Sequence, residues 1–586
     1  MDFFGIRTER QPLRPRTRAA RSMRSRRSFL VRRVSPLLAA ALVQAAPAHG
    51  RQRAPSLAGR STVYAPHAII ATSQPLATSA GLVVLSRGGN AVDAAVTAAA
   101  VLNLVEPHMT GMGGDVFAVL WSSREKKLIG LNASGRSGSL MTREALARRG
   151  HQRVPLYGAE PITVPGALSG WAALLEKYGT ITLAQALAPA IRLAEEGFPV
   201  SPIIADQWAA AVERLQGDLG ASATFLVDGT RAPRAGEWFR NPDLAASFRT
   251  VAAEGPGALY GGGLGRRIVD RVRQLGGFLT LDDLARHRVE WVTPISARFH
   301  GKTVWELPPN NQGIAVLEML RILEPYDLKA MGHNSADYLH HLIEAKKLAY
   351  ADLARWVGDP AAMTVAPERL LDDRFIAARR ALLDEHQAAL RMEPGSPATA
   401  SETIYLAAAD SAGNMISFIN SNFEEFGSGV VVPGTGFVLQ DRGAGFSMEE
   451  GIPNTVGPGK RPFHTLIPGF VTQPGASGAE EPWLAFGVMG GAIQPQGHVQ
   501  VLLNLLVFGM DLQEAIDAAR FRHFEGLRVG LEAPIGPAVR SALEKMGHQV
   551  APLPPGNAGG GQAVMKLVKG WAAGSDPRKD GMAAGW

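Results

Sequence analysis

Two short apolar runs, Thr403 to Ala409 and Met415 to Asn420, are separated by Asp410-Ser411-Ala412-Gly413-Asn414, a cluster of turn-forming residues. Runs of this length around such a cluster predict two strands joined as a hairpin. Before them, Glu393-Pro-Gly-Ser-Pro-Ala-Thr-Ala-Ser-Glu402 lacks the large apolar side chains that a core needs, and predicts a mobile surface loop. Nearer the N-terminus, Ala77 to Arg87 and Ala91 to Val105 have helical composition, with Gly88-Gly89-Asn90 as a stop and restart between them. Gly111 to Gly114 predicts a tight turn into a strand over Val116 to Trp121, and Leu131 to Ser137 closes a second strand. Thr163 to Pro202 predicts two amphipathic helices separated by Gly179. Glu344 to Asp352 predicts a helix ending before Gly358-Asp359-Pro360, and Gly261 to Gly265 a helix entrance before Arg266-Arg267.

Composition changes this picture only at the N-terminus. The chain has 586 residues, 46% apolar and 19% charged, enough for a large core in one layered domain or several smaller ones. Its net charge of +7 is unevenly spread. Residues 1–60 carry fourteen arginines against Asp2 and Glu9, leaving 46 basic and 51 acidic groups in a mildly acidic body. Within the basic part, Ser25-Arg26-Arg27-Ser28-Phe29-Leu30 reads as a twin-arginine signature, followed by the apolar run Val34 to Ala46 and a small-x-small site at Ala46-Pro47-Ala48. Residues 1–48 are therefore expected to be a removed export signal, with a periplasmic or extracellular destination. An arginine-rich nucleic-acid arm is the competing reading, but it would not need the apolar run or the cleavage site. Met23 is an alternative start. The chain has no cysteine, which excludes disulfides, thiolate metal sites and a cysteine nucleophile. No apolar run reaches membrane-spanning length, so no stable membrane anchor is expected.

The hairpin holds the candidate chemistry. If the Glu402–Thr403 bond is cut, Thr403 becomes a terminus whose hydroxyl is a nucleophile and whose α-amine is the base. An α-amine titrates at about 7.7–8.0, so it can accept the hydroxyl proton near neutral pH without a histidine. A threonine opening a strand is equally compatible with a plain β-branched sheet residue. The Gly111 to Gly114 turn precedes a strand, the reverse of a phosphate-cradling loop, and excludes nucleotide binding by that motif. His340 and Glu344 share a helix face, but His341 points elsewhere and no third ligand is evident, so no metal is assigned.

With Thr403, the segments FGSGVVVPGTGFVLQDRGAGFS (Phe426 to Ser447), GPGKRPFHTLIP (Gly457 to Pro468) and VMGGAIQPQGHVQ (Val488 to Gln500) resemble the small-subunit half of the γ-glutamyl transpeptidase family. Gly88 to Ala95, Glu106 to Gly114, Thr163 to Pro202, Gly276 to Leu284, Leu307 to Gly313 and Glu344 to Asp352 resemble its large subunit, so the likeness covers roughly residues 63–586. It implies an α+β fold, the four-layer αββα sandwich of N-terminal nucleophile hydrolases. It also implies self-cleavage into residues 49–402 and 403–586, which pair as a heterodimer. The implied roles are Thr403 as nucleophile, Ser421 holding the Thr403 amine, and Gly490 and Gly491 as the oxyanion hole. Arg136 and Arg442 are candidate carboxylate binders beside His464 and Thr465. No metal or organic cofactor and no nucleic acid is implied; the partner is a small acyl amide.

The likeness is broken where substrate is recognised. The family's acidic pair is Ala444-Gly445, its glutamine is Arg442, an asparagine position is Phe423 and its paired serines are His464-Thr465. An ammonium acceptor is lost and a guanidinium gained, which favours an acyl group ending in a carboxylate over one with a free α-amine. This resembles the cephalosporin-acylase-like branch, with Gln440-Asp441-Arg442-Gly443 as its variant. The expected activity is hydrolysis of γ-glutamyl or related acyl amides with weak acyl transfer. A glutaryl-type acylase without transfer is one alternative, and an unprocessed exported ligand-binding protein is the alternative from another class.

Overall fold

The computed structural model describes residues 59–392 and 402–586. The export signal expected over residues 1–48 and most of the predicted loop, residues 393–401, lie outside the described residues.

Two antiparallel seven-stranded sheets face each other. The first runs Met582–Gly585, Ile69–Thr72, Glu402–Ala409, Met415–Phe423, Asp115–Ser122, Lys127–Ala133 and Glu290–Val292 from edge to edge. The second is centred on Gly560–Lys566, Glu480–Met489 and Gly469–Pro474. The predicted hairpin is there, with Ala409 opposite Met415 and Ile404 opposite Asn420. Its turn is organised by Asp410, whose Oδ1 accepts from the Ala412 and Asn414 amides while Oδ2 accepts from Ala91, tying the turn to the start of a helix.

Alternation along Glu402–Ala409 explains the layering. Ile404, Leu406 and Ala408 join the core under the helices, whereas Tyr405, Ala407 and Ala409 join the core between the sheets. Successive strand residues point to opposite faces, so a strand apolar on both must be covered on both. The helices Pro75–Ser86, Ala91–Val105 and Ala167–Tyr178 cover the first sheet. Gly313–Leu323, Ala336–Trp356 and Gln494–Leu506 cover the second. The αββα sandwich expected from the sequence is therefore the observed fold. Truncating a fully buried residue of this core, such as Phe418, to alanine costs about 3–5 kcal/mol.

The predicted helices appear with the expected punctuation. Asn90 caps Ala91–Val105 in a reciprocal capping box with Asp93. Gly179 ends Ala167–Tyr178 before Leu183–Glu196 begins. All fifteen residues of Ala91–Val105 are buried, which its many alanines allow by letting neighbours approach closely. Among the described residues no helix is long and apolar enough to cross a membrane.

Candidate active site

Thr403 lies at the head of a central strand and is fully buried. The ladder slips here: Glu402 pairs with Phe423 but Ile404 with Asn420, so the partner strand carries an extra residue. Such bulges bend the strand and redirect side chains. The Thr403 hydroxyl donates to Ser421 Oγ at 3.2 Å, and Ser421 Oγ also accepts from the Phe423 amide at 2.8 Å. Phe423 holds φ 84°, a left-handed conformation unusual for an aromatic residue. Gly114 makes room from the other side; a Cβ there would fall 2.3 Å from the Ser421 carbonyl oxygen.

The predicted oxyanion pair follows Glu480–Met489 of the facing sheet. Gly490 and Gly491 hold φ 124° and 66°, conformations that glycine adopts without strain. The turn is held from behind. Gln312 Nε2 donates to the Gly491 carbonyl at 2.9 Å and to the Thr465 carbonyl at 2.7 Å, and the Tyr350 hydroxyl donates to the Ala492 carbonyl. Bonds to these carbonyls fix the peptide planes that follow Gly491, and so restrain the turn from its C-terminal side. Gln312 thus joins the Gly490–Gly491 turn to the segment bearing His464 and Thr465.

Arg442 is wholly buried between these parts. Its Nη1 donates to Thr465 Oγ1 at 3.0 Å, and its guanidinium lies 4.1 Å from the centre of the Phe423 ring. Nε and Nη2 have no hydrogen-bond partner among the described residues. Burial lowers its pKa to about 10, so it stays charged at neutral pH. Asp441 and Asp115 are nearby counter-charges. Asp441 accepts from the Glu424 amide through Oδ1, and its Oδ2, like Asn422 Oδ1, is buried with no hydrogen-bond partner among the described residues. Buried groups of this kind are normally satisfied by something bound, water included.

Asp115 sits opposite Ser421 in the ladder. Its Oδ1 accepts from the Gly135 amide at 2.8 Å, and His464 Nε2 lies 3.2 Å from Oδ2. Because His464 Nδ1 accepts from the Leu466 amide, Nε2 carries the proton and donates to Asp115. Burial and Arg442 hold His464 neutral, while burial lifts the Asp115 carboxyl to about 6.

Arg136, next to the Gly135 that bonds Asp115, is engaged in ion pairs. Its guanidinium is paired with Asp359 at 2.9 Å and Glu290 at 3.2 Å, and donates to the Gly459 carbonyl. Arg461 bonds the same two acids, so the two arginines pin the 457–468 segment. The residues that sequence reasoning missed are Asp115, Gln312 and Asp441. The Asn310-Asn311-Gln312 triplet, polar yet followed directly by an apolar helix, was the available signal. The expectation that His340 and Glu344 lack a third neighbour is corrected: His548 Nε2 lies 2.8 Å from His340 Nδ1, and polar atoms of the three lie within 4.8 Å of one another. Lys347 Nζ occupies Glu344 Oε1 at 2.6 Å, an ion pair that opposes a cation there.

A sequence-family model described as Gamma-glutamyltranspeptidase matches residues 77–586. The chain is 39% identical to a glutathione hydrolase-like proenzyme of Bacillus subtilis, over 87% of this chain and 97% of that one. It is 35% identical to an oxamate amidohydrolase proenzyme of Klebsiella pneumoniae, over 89% and 98%. The crystal structure of a cephalosporin acylase from Bacillus halodurans superposes with a TM-score of 0.85 at 43% identity, covering 91% of this chain and 98% of that one. The chain belongs to the γ-glutamyltranspeptidase family.

Proposed function

We propose that this enzyme hydrolyses small amides whose acyl part ends in a carboxylate, with Thr403 as nucleophile after cleavage of the Glu402–Thr403 bond. The observation that carries the reading is Arg442, buried and charged, with Nε and Nη2 unpartnered among the described residues, beside Phe423 and Thr465. A guanidinium fork matches a planar carboxylate. The names of the relatives point the same way, since oxamate carries a carboxylate next to its amide.

In the proposed mechanism, the Thr403 hydroxyl first attacks the Glu402 carbonyl. The acyl group moves from nitrogen to oxygen, and water hydrolyses the ester, leaving a chain that begins at Thr403. In each later turnover the Thr403 α-amine takes the hydroxyl proton as Oγ attacks the substrate carbonyl. Ser421 orients the hydroxyl, and the Gly490 and Gly491 amides receive the oxyanion. The amine passes its proton to the leaving nitrogen, and water, deprotonated by the same amine, releases the acid and restores Thr403. The two parts, 49–402 and 403–586, remain together as a heterodimer, and the twin-arginine leader directs export.

The test compares glutaryl and γ-glutamyl anilides. Preference for the glutaryl compound supports the reading; strong preference for the γ-glutamyl compound, with acceleration by a dipeptide acceptor, would overturn it. One observation favours that second reading: Asp441 Oδ2 and Asn422 Oδ1 are buried acceptors suited to a substrate ammonium.

A further inference from the structure

A cavity of about 510 Å³ opens where the two sheets part, at the end of the sandwich remote from Thr403. Trp121, in its wall, pairs with Met415 at the turn end of the hairpin, whereas Asp115, opposite Ser421, lies six residues back along the same strand, roughly 20 Å away. Trp121, Trp305, Leu128 and Val292 belong to the core between the sheets. That core reaches solvent here as rings, with Trp305, Trp291 and Tyr178 half-buried in the cavity wall. The volume is that of a pocket for a small organic molecule.

The rings are fixed by their neighbours. The Trp305 indole donates to Thr472 Oγ1 at 2.8 Å, and Tyr178 meets Trp291 edge to face with ring centres 5.5 Å apart. Lys177 Nζ stands 4.3 Å from the centre of the Trp291 ring. Three lysines and two glutamates are the charged groups of the wall. Glu125 is paired with Lys127 at 3.0 Å and Arg124 at 3.8 Å, and Glu480, from the facing sheet, accepts from the Thr303 hydroxyl at 3.0 Å. Lys126 and Lys177 have no acidic partner among the described residues. A wall of aromatic rings edged by two such ammonium groups complements a flat apolar body that carries a negative charge.

We propose that this cavity binds a small aromatic carboxylate, with its ring against the indoles of Trp121, Trp291 and Trp305 and its carboxylate at Lys126 and Lys177. The rings supply apolar area and stacking faces at little cost in conformational freedom, since their neighbours already hold them. The ammonium groups select the charge, because a cationic analogue would meet like charge at the rim. The site stands at the opposite end of Asp115–Ser122 from the candidate active site, and its occupation does not compete with an acyl amide.

The test is calorimetric titration of the whole protein with β-naphthoate, beside β-naphthylmethanol and β-naphthylmethylamine, which keep the ring and change the charge. The naphthoate is expected to bind saturably, about tenfold more tightly than the alcohol and more tightly still than the amine. Lys177→Glu, at an exposed helix end where folding is not at risk, is expected to weaken the naphthoate about tenfold and to leave the alcohol within about threefold. Trp291→Ala, on the edge strand, is expected to weaken all three about tenfold. No saturable heat, equal affinity for the three compounds, or affinities unchanged in both variants would each overturn the proposal. So would loss of naphthoate binding in Arg442→Gln with both cavity variants unaffected, which would place the compound at the candidate active site. Titration reads no turnover, so its outcome is separate from that of the hydrolase reading.

Discussion

Gln312 Nε2 donates to the carbonyl of Gly491 across 179 residues of sequence, from one side of the proposed cleavage point to the other. The same nitrogen holds the Thr465 carbonyl, so one amide sets the spacing between the Gly490–Gly491 turn and the segment bearing His464 and Thr465. Gln312→Leu removes both bonds at nearly constant volume. It is expected to lower kcat about tenfold or more, with KM changed far less, since the loss falls on transition-state geometry. Steady-state kinetics with an anilide check this; equal changes in kcat and KM would mean that Gln312 only supports the fold.

Cleavage at Thr403 is visible by mass. Denaturing mass spectrometry of the purified protein is expected to show two fragments, the smaller of 184 residues beginning at Thr403. Thr403→Ala is expected to remain one chain. A single intact chain in both after long incubation would remove the N-terminal nucleophile and leave the ligand-binding alternative.

Arg442 should discriminate by charge. Arg442→Gln is expected to lower kcat/KM for a glutaryl anilide by about 10–100-fold, the worth of a hydrogen bond to a charged group. For an uncharged butyryl anilide the change should be small. Equal losses for the two substrates would place the arginine in the scaffold and not in acyl recognition.

Asp115 should leave a mark on stability against pH. Its folded pKa of about 6 stands above the ordinary 3.8, so between those values the folded chain holds a proton that the unfolded chain has released. The contribution of this group is present at low pH and is lost as pH rises from about 4 through about 6. Asp115→Asn, made in the uncleaved Thr403→Ala chain, is expected to remove that slope. Urea midpoints measured from pH 4 to 7 in the two chains test it; parallel profiles would show that Asp115 does not titrate there.

What the sequence determined by itself is local or repeated. The apolar run Thr403 to Ala409 with its turn cluster marked a hairpin strand, and Gly88-Gly89-Asn90 a helix restart, because each signal is carried by residues within a few positions of one another. The same holds for Gly490-Gly491, where the backbone conformation itself requires glycine. The tertiary structure decided which distant side chains meet. It brought Asp115 to His464 and Arg442, drew Arg136 into ion pairs with Glu290 and Asp359, and set His548 against His340. The lost acidic pair at Ala444-Gly445 was legible, but the acceptors that remain around Arg442 were not. A charge acquires its role from neighbours a few ångströms away, and in a layered sandwich those neighbours come from strands and loops hundreds of residues apart.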